Sequence, residues 1–112
     1  MLNLTGATRI FLRAGATDLR LGFNGLHALV ESQLKQDVLS GHVFVFCNRA
    51  HTRIKALTWD GSGLWLCTKR LERGTFAWGM DADTEVAAAQ LQALLAGLEV
   101  ERQRAWYRRQ KN

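Results

Sequence analysis

The sequence predicts an α+β domain: a largely antiparallel sheet of about four to five strands with two helices, in the order β-α-β-β-β-β-α. Three observations predict it. Strand-like runs crowd into residues 42–78 with short turns between them, and strands grouped in sequence favour hairpin pairing over alternation with helices. Two stretches, one on each side of that block, repeat apolar residues at helical spacing. Proline is absent and there are ten glycines, so glycine must supply the turns and helix ends.

The elements follow in order. Residues 9–13 (R-I-F-L-R) are a short apolar run between bases and read as a strand. After Gly15, Thr17 suits a helix N-cap and Asp18 the positive end of that helix. Leu19, Phe23, Leu26, Val30 and Leu34 then form a core face, with Arg20, Asn24, His27, Glu31 and Lys35 on the wet side. This helix should end near residues 35–37. Ser40-Gly41 is a turn. Residues 42–47 lack a polar alternate, as in a strand buried on both faces. Residues 48–52 form a polar loop. Residues 53–59 and 64–70 are strands joined by the hairpin turn Asp60-Gly61-Ser62-Gly63. Gly74 breaks the chain before a further short strand at 75–78. Residues 79–83 are a linker. Thr84 then caps a second helix whose apolar face is Val86, Leu91, Leu94, Leu95 and Leu98. It ends at Gly97 or continues through Trp106. Both helices are expected on one face of the sheet.

A chain of 112 residues is one domain's worth, and it buries roughly two thirds of its unfolded surface without staples. Residues 1–98 are the domain and residues 99–112 a basic C-terminal tail. The hydrophobic fraction of 47% and charged fraction of 22% suit a soluble globular protein. Cys47 and Cys67 lie in apolar runs, as small buried hydrophobes of a reduced compartment rather than a disulfide framework or zinc site. Residues 1–9 hold no secretory apolar core, and no run reaches bilayer length, so a cytoplasmic location with no membrane partner is expected.

The net charge is +5, and residues 99–112 carry five bases against two acids, so more than half the excess lies in the tail. A basic tail fits nucleic acid, an anionic surface or an acidic partner; a solubilising end is the plainer alternative. The hairpin adds a second basic feature. Facing residues across it sum to an odd number, so Arg53, Lys55, Leu57 and Trp59 share a face with Leu64, Leu66, Thr68 and Arg70. That face is apolar near the turn and basic at the far end, where Arg49 and Arg73 adjoin; Trp65 and Lys69 take the other face. Such a cluster can grip phosphates, or it can be a solvated rim that discourages edge pairing. Trp59, Trp65 and Trp78 fit a core. Trp106 and Tyr107, flanked by bases, fit stacking, a partner anchor, or a helix end resting on its own domain.

Enzyme signatures do not appear: there is no Walker loop, dinucleotide-binding glycine pattern or HExxH motif. His27, His42 and His51 are scattered. Asp18, Asp60 and Glu72 could in principle gather into a nuclease-like metal site, but a helix start, a turn and an ion pair between Arg70 and Arg73 account for each separately. No catalytic residue, metal or cofactor is assigned.

Five stretches carry a resemblance. Residues 15–26 (G-A-T-D-L-R-L-G-F-N-G-L) resemble G-P-T-D-M-R-K-G-F-D-G-L, and residues 44–49 resemble F-V-F-x-N-R. Residues 59–63 match W-D-G-x-G, residues 69–76 match K-R-L-E-R-G-x-F, and residues 91–97 resemble L-x-x-L-L-x-G. Together they resemble the accessory protein of the second reading frame, TnpB type, of the bacterial insertion sequence sixty-six family. The resemblance implies a non-catalytic role in transposition beside a separate DDE transposase that performs the strand chemistry. DNA (element ends or non-specific), the transposase and the element's other accessory protein are the implied partners. Under this reading Arg49, Arg53, Lys55, Lys69, Arg70 and Arg73, with Arg102, Arg104, Arg108 and Arg109 of the tail, contact phosphates. In the alternative, a protein–protein adaptor without direct DNA binding, Trp78, Trp106 and Tyr107 are exposed anchors. Departures from the pattern are Ala16 for Pro, Leu21 for Lys, a less basic loop at Ala50-His51-Thr52, Thr75 for Arg and Gly79 for Pro.

Overall fold

A computed structural model of the chain describes residues 4–97. Among them the elements are β1 (Ile10–Leu12), α1 (Phe23–Ser32), a 3-10 turn (Val38–Ser40), β2 (Val43–Cys47), β3 (Arg53–Trp59), β4 (Leu64–Arg70), β5 (Thr84–Val86) and α2 (Ala88–Leu95). They build an α+β fold on a five-stranded sheet in the order β4-β3-β2-β1-β5. All neighbours are antiparallel except β1 and β2, which run parallel with Ile10 beside Val43. A parallel neighbour needs a crossover, and α1 supplies it.

β2 lies in the middle of the sheet, and all five of its residues are buried. Its alternate side chains feed two cores. Val43, Val45 and Cys47 join Ile10, Leu12, Ile54 and Ala56 under Leu91 and Leu94 of α2. Phe44 and Phe46 join Leu57 under Leu26 and Val30 of α1. The helices therefore cover opposite faces, not one face as the grouping of the strands suggested. A strand without a polar alternate requires that arrangement, since each face needs an apolar cover.

The first helix starts later than its cap chemistry predicted. Thr17 is 4% exposed. Its N–H donates to Cys47 O at 2.8 Å, and its hydroxyl oxygen lies 2.9 Å from Arg13 Nη1. That oxygen is occupied by a guanidinium rather than a helix N–H, so residues 17–21 form a loop and α1 begins at Phe23 behind Gly22. It ends at Ser32, earlier than expected, where the Ser32 hydroxyl donates back to Ala28 O.

Residues 75–78 are not a strand either. Phe76 N–H donates to His51 O and Trp78 N–H to Phe76 O, so the segment crosses the end of the sheet with Phe76, Ala77 and Trp78 buried. The last strand is instead Thr84–Val86, antiparallel to β1. Thr84 does not cap α2: its hydroxyl donates to Ala82 O, while Gln90 Oε1 accepts from the N–H of Ala87 at the helix start. Leu98 of the expected apolar face lies outside the described residues, as does the basic tail. No helix among the described residues is long and apolar enough to cross a membrane.

Candidate functional site

The β3–β4 register is the one the odd-sum rule predicts, from Trp59 opposite Leu64 to Arg53 opposite Arg70. Leu57, Leu64 and Leu66 pack against the α1 core, so by alternation Lys55, Arg53 and Arg70 lie on that same face beyond them. Arg53 and Arg70 are exposed. Arg70 Nε pairs with Glu72 at 2.9 Å, whereas the guanidinium groups of Arg49, Arg53 and Arg73 have no hydrogen-bond or ion-pair partner among the described residues.

Two of the six domain bases have structural attachments. Lys55 Nζ donates to Leu19 O at 2.6 Å and ties the loop at residues 17–21 to β3. Lys69 lies on the opposite face, where its Nζ donates to Leu95 O at 2.7 Å at the end of α2. A cation there satisfies a carbonyl that the helix leaves unpaired and complements the negative helix end. The cluster thus reduces to Arg49, Arg53, Lys55, Arg70 and Arg73 around one end of the sheet.

There the chain forms an open cleft of about 910 Å³, lined by Ala16, Thr17, Asp18, Leu19 and Arg20 from the loop after β1, Asn48, Arg49 and Ala50 from the loop after β2, and Arg53 and Lys55 of β3. It lies beyond the carboxyl ends of the parallel pair, where diverging connections leave a crevice. Asn48 holds its wall: Oδ1 accepts from the N–H groups of Thr52 and Arg53, and Nδ2 donates to Thr52 Oγ1. Thus two motifs distant in sequence, T-D-L-R and N-R, line one cavity. Arg20 and Asp18 were not among the predicted site residues. A helix start at Thr17 puts Arg20 on the helix's wet face and Asp18 at its positive end; the T-D-L-R motif itself is the available signal.

Asp18 and Arg20 form a two-point ion pair, with Arg20 Nε and Nη2 3.0 and 2.8 Å from the carboxylate oxygens. Those bonds and the Arg20 N–H hold the Asp18 carboxyl down to about 2, so it stays ionised. Asp60 is also held well below the usual range, by the N–H groups of Ser62 and Gly63, the Ser62 hydroxyl and the Trp65 indole. Asp18, Asp60 and Glu72 are thus committed in three separate places, and no group of three or more potential metal ligands occurs among the described residues.

The tryptophans divide differently from expectation. Trp78 is 3% exposed, with its indole N–H shared between Arg13 O and Gly15 O, and cannot serve as an exposed anchor. Trp65, expected in the core, is 56% exposed on edge strand β4, away from the cleft. Trp106, Tyr107, Arg102, Arg104, Arg108 and Arg109 lie outside the described residues.

Residues 8–105 match the family described as "IS66 Orf2 like protein". Two proteins of Sinorhizobium fredii (strain NBRC 101917 / NGR234), both described as uncharacterized, are similar along most of their length. The protein y4hO is 40% identical over 93 residues, covering 81% of each chain. The protein y4jC is 37% identical over 101 residues, covering 88% of this chain and 86% of its own. No solved structure matches.

Proposed function

The chain belongs to the IS66 Orf2-like family, accessory proteins of insertion-sequence transposition, and from that premise we propose that it is a non-catalytic factor that contacts the DNA backbone through Arg49, Arg53, Arg70 and Arg73. One observation carries the reading. The hairpin sets Arg53 directly opposite Arg70, and like charges directly opposite across a strand pair are destabilising. An anionic partner laid across them removes that repulsion. Arg49 of the loop after β2 and Arg73, three residues beyond β4, add exposed charge at that end of the sheet without neutralising partners of their own among the described residues. Lys55 adds charge from the cleft wall, and Lys69 takes no part because it lies on the other face. The tail bases Arg102, Arg104, Arg108 and Arg109 belong to the same proposal on charge alone.

Backbone contacts carry no sequence information, and each releases counterions, so four of them give a log–log salt slope of roughly −3 to −4. The test is a titration at low salt on element-end and unrelated duplexes. Comparable binding to both, falling steeply with salt, is the expected result; no binding to either overturns the proposal.

A protein–protein role for the element's transposase or other accessory protein is favoured by a different observation, the exposed ring of Trp65 on an edge strand. Trp106 and Tyr107 would join it. Co-purification with the DDE transposase that survives nuclease digestion supports that role, and loss of the complex on digestion supports bridging by DNA.

A further inference from the structure

Resting on the DNA-contact reading, the geometry points to the cleft between residues 16–20 and 48–55 as a site for single-stranded nucleic acid, with Arg49 and Arg53 on phosphates and the Arg20 guanidinium as a stacking surface for an unpaired base.

Three features carry it. The first is size. A volume of about 910 Å³ is that of a cube roughly 10 Å on an edge, well short of the full width of a duplex. A duplex can lay only its outer phosphates along the rim, whereas a single strand can enter. The second is the state of Arg20. Asp18 grips it at both Nε and Nη2, which offsets its charge and fixes its plane, yet the Arg20 side chain is 91% exposed. A guanidinium so held is poorly placed to clamp a phosphate and well placed to present a flat face. Arginine planes serve as stacking platforms for splayed bases. The third is the division of labour. The unpartnered guanidinium groups of Arg49 and Arg53 line the same cleft, so phosphate contact and stacking come from different residues. A basic groove that tracks the backbone beside a planar surface that accepts any base is the combination that binds single strands without sequence preference.

Fluorescence anisotropy on the full chain tests this with a labelled single-stranded oligonucleotide and a blunt duplex of the same length and label. The wild type should bind the single strand about tenfold tighter. Arg20→Lys keeps the charge and removes the plane, so it should erase that preference and leave duplex affinity unchanged. Arg49→Ala with Arg53→Ala should weaken both. Lys35→Asn, an exposed charge at the far end of α1, should change neither, and melting curves should confirm that all variants fold. Equal or tighter binding of the duplex by the wild type overturns the inference and leaves the proposed function standing. So does an Arg20→Lys variant that keeps the preference. Failure to bind either DNA overturns both.

Discussion

Arg53 and Arg70 are register partners at the open end of the β3–β4 hairpin, both exposed. The only ion-pair partner of either among the described residues is Glu72, which takes Arg70 alone. The hairpin would be served as well by Thr at either position, as Thr68 opposite Lys55 illustrates. Replacing Arg53 by Thr should therefore leave the melting temperature unchanged or slightly raised, within about 0.5 kcal/mol, the scale of exposed substitutions. The same variant should weaken duplex binding and reduce the log–log salt slope by about 1. Thermal melts and a salt series on one protein preparation measure both.

Arg70→Ala combined with Arg73→Ala extends the test to transposition. Arg70 loses a pair with Glu72 that is exposed on both sides, and such pairs contribute little to stability. The double variant should melt within a degree or two of the wild type and fail to support transposition in a two-plasmid assay. An unfolded double variant would mean that the three charges of this segment form a structural network.

Lys69 should behave in the opposite way to its neighbour Arg70. Its ammonium closes the end of α2 by bonding Leu95 O, and that contact lies on the face away from the cleft. Lys69→Met keeps the aliphatic stem and removes the bond. Because the site is exposed, the loss should be no more than about 1 kcal/mol. Duplex binding should be nearly unaffected, and urea denaturation beside anisotropy separates the two effects.

The contrast between Lys69 and Arg70 shows what the sequence makes legible. Alternation and a short turn determine the hairpin, so the register from Trp59–Leu64 to Arg53–Arg70 and the division of bases between faces could be read in advance. What lies at the far end of a long side chain could not, because Leu95 is 26 residues away and reaches Lys69 only through tertiary packing. The role of Thr17 is hidden for a related reason. The hydroxyl that caps a helix serves equally well beside a sheet, and local sequence does not distinguish a helix N–H from the Arg13 guanidinium. Taking Thr17 as a cap puts the start of α1 at Thr17 instead of Phe23 and conceals Asp18 and Arg20 as cleft residues. β5 is only three residues long and is defined by the free edge of β1, which a local pattern does not report. By contrast, the all-apolar β2 implied two covered faces, so the placement of the helices could have been deduced from it.

The Asp18–Arg20 pair gives a pH dependence with a definite sign. The folded-state carboxyl titrates near 2, below the unfolded value of about 3.9. A depressed carboxyl contributes stability that is fully present above the unfolded value and is lost as pH falls through the folded one. The acid loss should therefore fall between about pH 4 and 2. Asp18→Asn should flatten that part of the melting temperature profile and lower it slightly near pH 7, where the wild type holds the full but small contribution of an exposed, screened pair. Arg20, released from its partner, should also lose its fixed plane, so the same variant should weaken any preference for single strands.

Cys47 supplies the opposite sign at alkaline pH. Burial beneath α2 pushes its thiol up to about 12, because the apolar surroundings disfavour the thiolate. A raised acid is neutral in the fold, so its contribution is complete below the unfolded value of about 8.5 and disappears as pH rises toward 12. In the native protein at pH 8 iodoacetamide should modify Cys47 far more slowly than partly exposed Cys67, since thiolate and access are both required. In urea both should react at the same rate. Cys47→Ala should abolish the slow thiol and remove part of the alkaline destabilisation, at the cost of a small cavity beside Ile54 on the neighbouring strand. Equal native reactivity of the two thiols would place Cys47 in a segment that opens faster than the reagent attacks, and the α2-covered face would then be the less stable of the two cores.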